Sequence, residues 1–261
     1  MSEPGDASIT LDIRGHVARI GISNPGKRNA FTWAMYDQLE QIAVRLHDEP
    51  GVRVVVLRGN REDGFAAGTD IGQFADFADG AAGVRYERRV AQVLDALTRI
   101  PAPTIAAVER TAVGAGLAVA ACCDLVVAES DARFGAPIAR TLGNCLPIAV
   151  VHRLRARMGA AATASTLLTA ELVTAQRLAG SGFVHALAES GELDAVLEPL
   201  VERISSLAPL TLRALKEMNR RLDEVELPDD TALLELCYGS ADFREGVRAF
   251  GERRRPEWKG E

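Results

Sequence analysis

Two short runs constrain this chain more than any other feature. Residues 52–57 read Val-Arg-Val-Val-Val-Leu, and residues 104–108 read Thr-Ile-Ala-Ala-Val. Both are built from β-branched or small apolar residues, and neither alternates apolar with polar. Strands of that kind are buried on both faces, as in a parallel sheet covered by helices on either side. The rest of the first half fits such a sheet. Residues 9–14 and 16–22 alternate around Gly15, like a hairpin of two short strands. Asn24-Pro25-Gly26 marks a turn. Thr32 is placed to cap a helix over 33–47, with Met35, Leu39, Ile42 and Leu46 at helical spacing. Residues 58–68 are polar and glycine-punctuated, a loop. A second amphipathic helix is predicted over 84–99, ended by Pro101 and Pro103. Residues 114–122 predict a buried helix, and 125–128 and 132–134 predict short strands. Beyond about Pro147 the pattern is helical to the end. Strands that alternate with helices and then give way to helices alone point to an α/β core with a helical C-terminal extension.

A chain of 261 residues, 48% of them hydrophobic, buries a full core. Its net charge of -6 supplies no global positive field, which argues against nucleic acid or an anionic membrane as partner. No apolar run reaches membrane-spanning length. The first ten residues are polar and acidic, unlike a signal peptide. Cys122, Cys123, Cys145 and Cys237 form no CxxC pair and no zinc spacing. That pattern predicts reduced thiols in a cytoplasmic protein and no metal site. The four histidines fall in no catalytic motif.

Four segments carry chemistry. In Phe65-Ala66-Ala67-Gly68-Thr69-Asp70-Ile71, small residues allow a ligand close to the backbone, and Asp70 can cap the next helix. An ordinary strand-to-helix turn has the same make-up. Val113-Gly114-Ala115-Gly116-Leu117-Ala118 opens an apolar helix, whose free N–H groups attract negative charge such as a developing enolate oxygen. The same stretch also reads as tight helix packing. It reads as well as the Gly114-x-Gly116 turn of a Rossmann unit, with Glu129 set for a ribose and NAD(P) as cofactor. Lys27 and Arg28, beside the turn at 24–26, suit a diphosphate or simply an exposed basic turn. Arg244 to Phe250, followed by Arg253-Arg254-Arg255, suits a helix dipole or a phosphate.

The order and spacing of these segments carry a resemblance. Asn-Pro-x-Lys-x-Asn-Ala-Phe, Ala-Gly-x-Asp-Ile, the glycine-rich helix start before Cys-Asp-Leu, Phe-Gly-x-Pro and Arg-Glu-Gly-x-x-Ala-Phe occur in sequence from about Ile9 to Lys259. The chain thereby resembles the enoyl-CoA hydratase/isomerase (crotonase) superfamily. The resemblance implies a spiral of ββα units over 1–205 and a helical C-terminal trimerisation region over 206–261. It implies homotrimers, or hexamers as dimers of trimers. It also implies an acyl-CoA thioester substrate, with coenzyme A as part of that substrate and no prosthetic group. The oxyanion hole falls on the backbone N–H groups of Thr69 and Ala115. Lys27, Arg28 and Ala30, then Ala66, Gly68, Asp70 and Ile71, and Val113, Gly114 and Pro137 fall along the coenzyme A path. Arg253 falls where a basic residue reaches a phosphate in a neighbouring subunit.

The chain departs from the family where hydration needs acids. Hydratases of this family use two glutamates to activate and deliver water. Ala118 stands at the first of those positions and Ile138 at the second. Residues 137–143 also run one residue longer than usual and supply no acid. The expected activity is therefore of the lyase or isomerase class but not ordinary hydration. Arg140, Thr141 and Asn144 are candidates to bind a polar acyl group, and Arg140 suits a carboxylate. Cys145, after Gly143-Asn144, stands where the dehalogenase branch of the family places a nucleophile. Two other functions stay open on this sequence: a coenzyme A ester-binding protein without catalysis, and a Rossmann-type dehydrogenase.

Overall fold

The computed structural model describes residues 6–261; residues 1–5, half of the polar start, lie outside the described residues. Strands β1 (Ser8–Arg14) and β2 (Val17–Ser23) form the expected hairpin, with Ile9 opposite Ile22. Thr32 caps α1 (Trp33–His47) by accepting the Met35 N–H at 3.3 Å. Strand β3 (Val54–Gly59) starts two residues later than the apolar run does, because the Val52 N–H closes a turn on Glu49 O. Asp70 caps a single 3-10 turn, Ile71–Phe74, through the Gly72 N–H at 3.1 Å. Helix α2 (Gly80–Thr98) begins four residues before the apolar pattern does, since Asp79 accepts the Ala82 N–H at 2.9 Å.

The chain then alternates short elements: β4 (Thr104–Val108), β5 (Thr111–Val113), α3 (Ala115–Cys122), β6 (Leu125–Glu129), β7 (Arg133–Gly135) and α4 (Ile138–Thr141). Helices α5 (Ile148–Met158) and α6 (Ala160–Thr169) lead to β8 (Val173–Thr174), α7 (Ala175–Ala179), β9 (Ala186–Ala188) and α8 (Leu193–Ser206). Helices α9 (Pro209–Leu222), α10 (Thr231–Tyr238) and α11 (Ala241–Gly251) complete it. The stretch beyond Pro147 is thus not wholly helical, as β8 and β9 interrupt it. No described helix is long and apolar enough to cross a membrane.

Two sheets stack in the same order. The first runs β1-β2-β3-β4-β6-β9, and every pair after the hairpin is parallel. The second is ragged. Phe31 bridges Thr69, Ala66 bridges Ala112, β5 pairs with β7 and β7 with β8. Each turn of the chain therefore lays one strand in the first sheet, one short segment in the second, and then enters a helix. This is a spiral of ββα turns.

The first sheet is covered on both sides, as its apolar strands require. Val54, Val56, Ile105 and Val127 pack beneath Leu193, Leu197, Leu200, Val201 and Ile204 of α8. Val55, Leu57, Ala106 and Val126 face the main core, with Leu39 of α1, Val93 of α2 and Val119 of α3. Each such buried side chain contributes roughly 1.5–3 kcal/mol. The region after α8 folds back over this core. Methyl groups at Gly80 and Gly83 of α2 would stand 2.5 Å from Glu235 O and 2.0 Å from the Tyr238 ring. Those two glycines let α10 lie directly on α2.

Candidate functional site

The spiral brings the two glycine-containing segments side by side. Ala66 pairs with Ala112 in parallel register, the Ala66 N–H on Thr111 O at 3.0 Å and the Val113 N–H on Ala66 O at 2.9 Å. Three residues further along each strand stand Thr69 and Ala115. The backbone between is held open by two glycines in the left-handed half of φ space, Gly68 at 109° and Gly114 at 55°. A methyl group on Gly114 would meet Gly68 Cα at 3.5 Å, so the two segments are in contact.

Several of the amides around this contact are spoken for, while those of Gly68, Thr69, Ala115, Gly116 and Leu117 have no acceptor among the described residues. Phe31 N–H bonds Gly68 O and Asp70 N–H bonds Phe31 O, both at 2.8 Å. Gly114 N–H bonds Gly135 O at 2.8 Å, and Ala118 N–H bonds Gly114 O at 3.0 Å. Ala115 is the first residue of α3, where an unmatched donor and the positive end of the helix dipole coincide.

Both residues line a cleft of about 310 Å³. Arg28 stands on its wall together with Gly68, Ile71, Val113 and Gly114, and Pro137, Ile138 and Arg140 bring α4 to it. Phe74, Val90, Leu146, Val150, Leu172 and Phe250 make much of the lining apolar. A smaller cavity of about 130 Å³ between α2, α3 and α5 shares Ala118 and Val150 with the cleft. The side chain of Thr69 points into protein, its hydroxyl bonded to Tyr36 at 2.7 Å and Tyr86 at 2.6 Å. Burial, above all, raises both phenols well above the usual tyrosine range.

Comparison with known proteins decides the family. The sequence model for enoyl-CoA hydratase/isomerase matches residues 12–261. The chain belongs to the enoyl-CoA hydratase/isomerase family. It is 33% identical to a putative enoyl-CoA hydratase of Thermus thermophilus, over 94% of this chain and 98% of that one. It is 34% identical to the 2,3-dehydroadipyl-CoA hydratase of Escherichia coli, over 97% of this chain and 99% of the other. Its fold matches a solved methylmalonyl-CoA decarboxylase in complex with 2-nitronate-propionyl-CoA. There the TM-score is 0.86 and identity 26%, with 98% of this chain and all (100%) of that chain covered. The crotonase-like α/β spiral is thus the fold of this chain.

Ala118 on α3 and Ile138 on α4, where the resemblance led to an expectation of acids, both line the cleft, and both are apolar. Other residues singled out by sequence are placed unevenly. Arg28 lines the cleft, and its carbonyl, bonded by the Ala67 N–H at 3.0 Å, ties the basic turn to the 65–71 segment. Lys27 is exposed beside it but outside the lining. Ala30 and Ala66 are buried and lie outside the cleft lining. Asp70 is spent on its cap. Arg253 is exposed beyond α11 and does not reach the cleft of its own chain.

The structure bears on two other readings. Cys145 lies outside the cleft lining with its thiol on Leu146 O at 3.4 Å. Burial, then neighbouring Cys237, pushes that thiol well above the usual range, which favours the thiol over the thiolate. The Rossmann reading fails at Glu129, which is buried and bonded by the Gly191 N–H at 2.7 Å, and so is unavailable to a ribose.

The sequence reading missed Glu87. It sits on α2, only 4% exposed, and lines the cleft. Tyr238 of α10 donates its hydroxyl to Glu87 Oε1. Asn144 Nδ2 donates to that same phenol oxygen at 3.0 Å, while Asn144 Oδ1 is buried without a partner. Burial raises the Glu87 carboxyl to about 8, the Tyr238 hydroxyl pulls it part of the way back, and the charge of Asp230 adds to the rise.

Proposed function

We propose that this chain binds an acyl-CoA thioester in the cleft and holds the thioester oxygen between the N–H groups of Thr69 and Ala115. The observation that carries this is the pair of unmatched amides at equivalent places in successive turns of the spiral. An oxygen that gains charge there meets two fixed donors and a helix N-terminus with no reorganisation. One such donor is typically worth about 10²–10³-fold in rate. Arg28, at the cleft wall, and Lys27 beside it supply positive charge for the phosphates of coenzyme A. The family membership and the coenzyme A thioesters named for its relatives support the same ligand.

The reaction follows from what the oxyanion permits. A stabilised enolate is the shared intermediate of isomerisation, decarboxylation and C–C cleavage. Standard hydration is disfavoured, since Ala118 and Ile138 have no proton to give or take. We also propose that the chain works as a homotrimer or a dimer of trimers. Helix α9 buries none of its own residues and leaves Leu210, Leu215, Met218 and Leu222 exposed, an apolar stripe suited to a second copy.

Ala115→Pro tests the hole. Proline at the first helical position is tolerated, yet it removes the single donor in question. Calorimetry is expected to show that the wild type prefers butyryl-CoA to free coenzyme A, and that the variant loses this preference while still binding free coenzyme A. Equal binding of butyryl-CoA by both proteins refutes the assignment.

A further inference from the structure

Ordinary family chemistry needs a proton carrier, and the two family positions for it are apolar here. Among the described residues that line the cleft, Glu87 is the one carboxylic acid. Its placement is not that of a surface acid that happens to be covered. Gly83 lies one helical turn before it on the same face of α2, and its missing side chain lets the Tyr238 ring lie across the helix. Tyr238 then fixes Oε1, and Asn144 fixes Tyr238. Oε2 accepts no hydrogen bond from the described residues, although the residue is buried at the cleft wall. One oxygen is clamped and the other is left for a ligand.

We propose that Glu87 is the catalytic acid–base of this chain, exchanging a proton with the carbon next to the thioester carbonyl. This rests on the thioester reading above. In the forward step Glu87 Oε2, as carboxylate, takes the proton. The C–H electron pair becomes the C=C bond of the enolate. The carbonyl π pair moves to the oxygen held by Thr69 and Ala115. The reverse step returns the proton to carbon and regenerates the carboxylate. Tyr238 is a positioning residue: its O–H stabilises the carboxylate formed when Glu87 gives its proton up.

The surroundings suit that role near neutral pH. Tyr238 and Asp230 face Glu87 from the α10 side, Cys145 from the segment after α4, Tyr36 from α1 and Tyr86 from α2 itself. Burial raises Glu87 to about 8, the Tyr238 hydroxyl draws it part of the way back, and Asp230 adds to the rise. A group there holds its proton and releases it within the working range of a general acid–base.

The test is deuterium uptake from heavy water at the α-carbon of propionyl-CoA, followed by mass spectrometry alongside the affinity for the same ligand. The wild type is expected to exchange, at a rate that rises with pH and levels off above about 8. Glu87→Gln is expected to lose about 10²–10⁴-fold of that rate while its affinity stays within about twofold, because the amide replaces an acid that is neutral at pH 7. Glu87→Asp, with the proton drawn back by one carbon, retains part of the rate and so separates chemistry from folding. Tyr238→Phe keeps exchange but moves its midpoint to higher pH, a change that a purely structural tyrosine does not produce. Undiminished exchange in Glu87→Gln, or a wild type that binds propionyl-CoA without exchanging, overturns the proposal. A wild type that does not bind propionyl-CoA overturns the thioester reading beneath it.

Discussion

Replacing Glu87 by glutamine is expected to make the protein more stable at alkaline pH. The carboxyl stands at about 8 in the folded chain against an ordinary 4.5. The folded state therefore holds the proton more tightly than the unfolded chain does. Its contribution to stability is complete below about pH 4.5, declines as pH rises, and is lost above about 8. At about 1.4 kcal/mol per pH unit, that interval is worth roughly 3–5 kcal/mol. Glutamine fills the same space, accepts the Tyr238 hydroxyl and has no proton to lose. Urea unfolding followed by tryptophan fluorescence, at fixed protein concentration, measures both proteins at pH 5 and pH 9. They are expected to agree within about 1 kcal/mol at pH 5, the usual cost of a near-isosteric change, with the variant ahead by several kcal/mol at pH 9. A difference that does not change with pH, or a wild type that stays ahead at pH 9, refutes the buried-acid argument.

Other substitutions test other parts of the site. Gly114→Ala puts a side chain at φ 55° and ψ -117° and is expected to cost about 1–3 kcal/mol, seen as a lower urea midpoint, with weaker butyryl-CoA binding. Arg28→Ala is expected to weaken acyl-CoA binding by about 10–100-fold, the worth of a charge-assisted contact, while a pantetheine thioester without the nucleotide is bound as before. Glu245 accepts from Arg254 Nη2 at 2.9 Å and from the Glu257 N–H at 3.1 Å. The Arg254 and Arg248 guanidiniums hold its carboxyl well below the usual carboxylate range. Glu245→Gln is therefore expected to release the tail after α11, read as faster trypsin cleavage beyond Arg253. In the wild type the same release appears only as pH falls through the depressed value.

Elements with strong local signals were legible from the residues alone. The Thr32 cap and the helix it starts, and the buried run at 104–108, stand where pattern and capping put them. Strands β5, β8 and β9 were not legible, because two or three residues show no period and, unlike β7 with its Phe134, none carries an aromatic residue to mark it. Thr69 and Ala115 could be named from the order of motifs. Their alignment, however, depends on the pairing of Ala66 with Ala112, a bridge between segments whose own patterns say only turn. Glu87 was hidden for a different reason. On an amphipathic helix an acid reads as the solvated side, and only the fold of α10 across α2 removes it from water. The one local hint was glycine at 80 and 83, both weak helix formers, ahead of the acid at 87.

The clamp on Glu87 joins residues 151 positions apart in the chain. A ribosome translating this message makes the amides of Thr69 and Ala115, and Glu87 itself, long before it makes Tyr238. A nascent chain can thus close its sheets and still carry an unsteadied carboxyl in an open groove. Tyr238, which on the proposal above sets the pH at which that acid works, arrives late in synthesis, so a product cut short before it is expected to keep Glu87 but with its titration moved to higher pH.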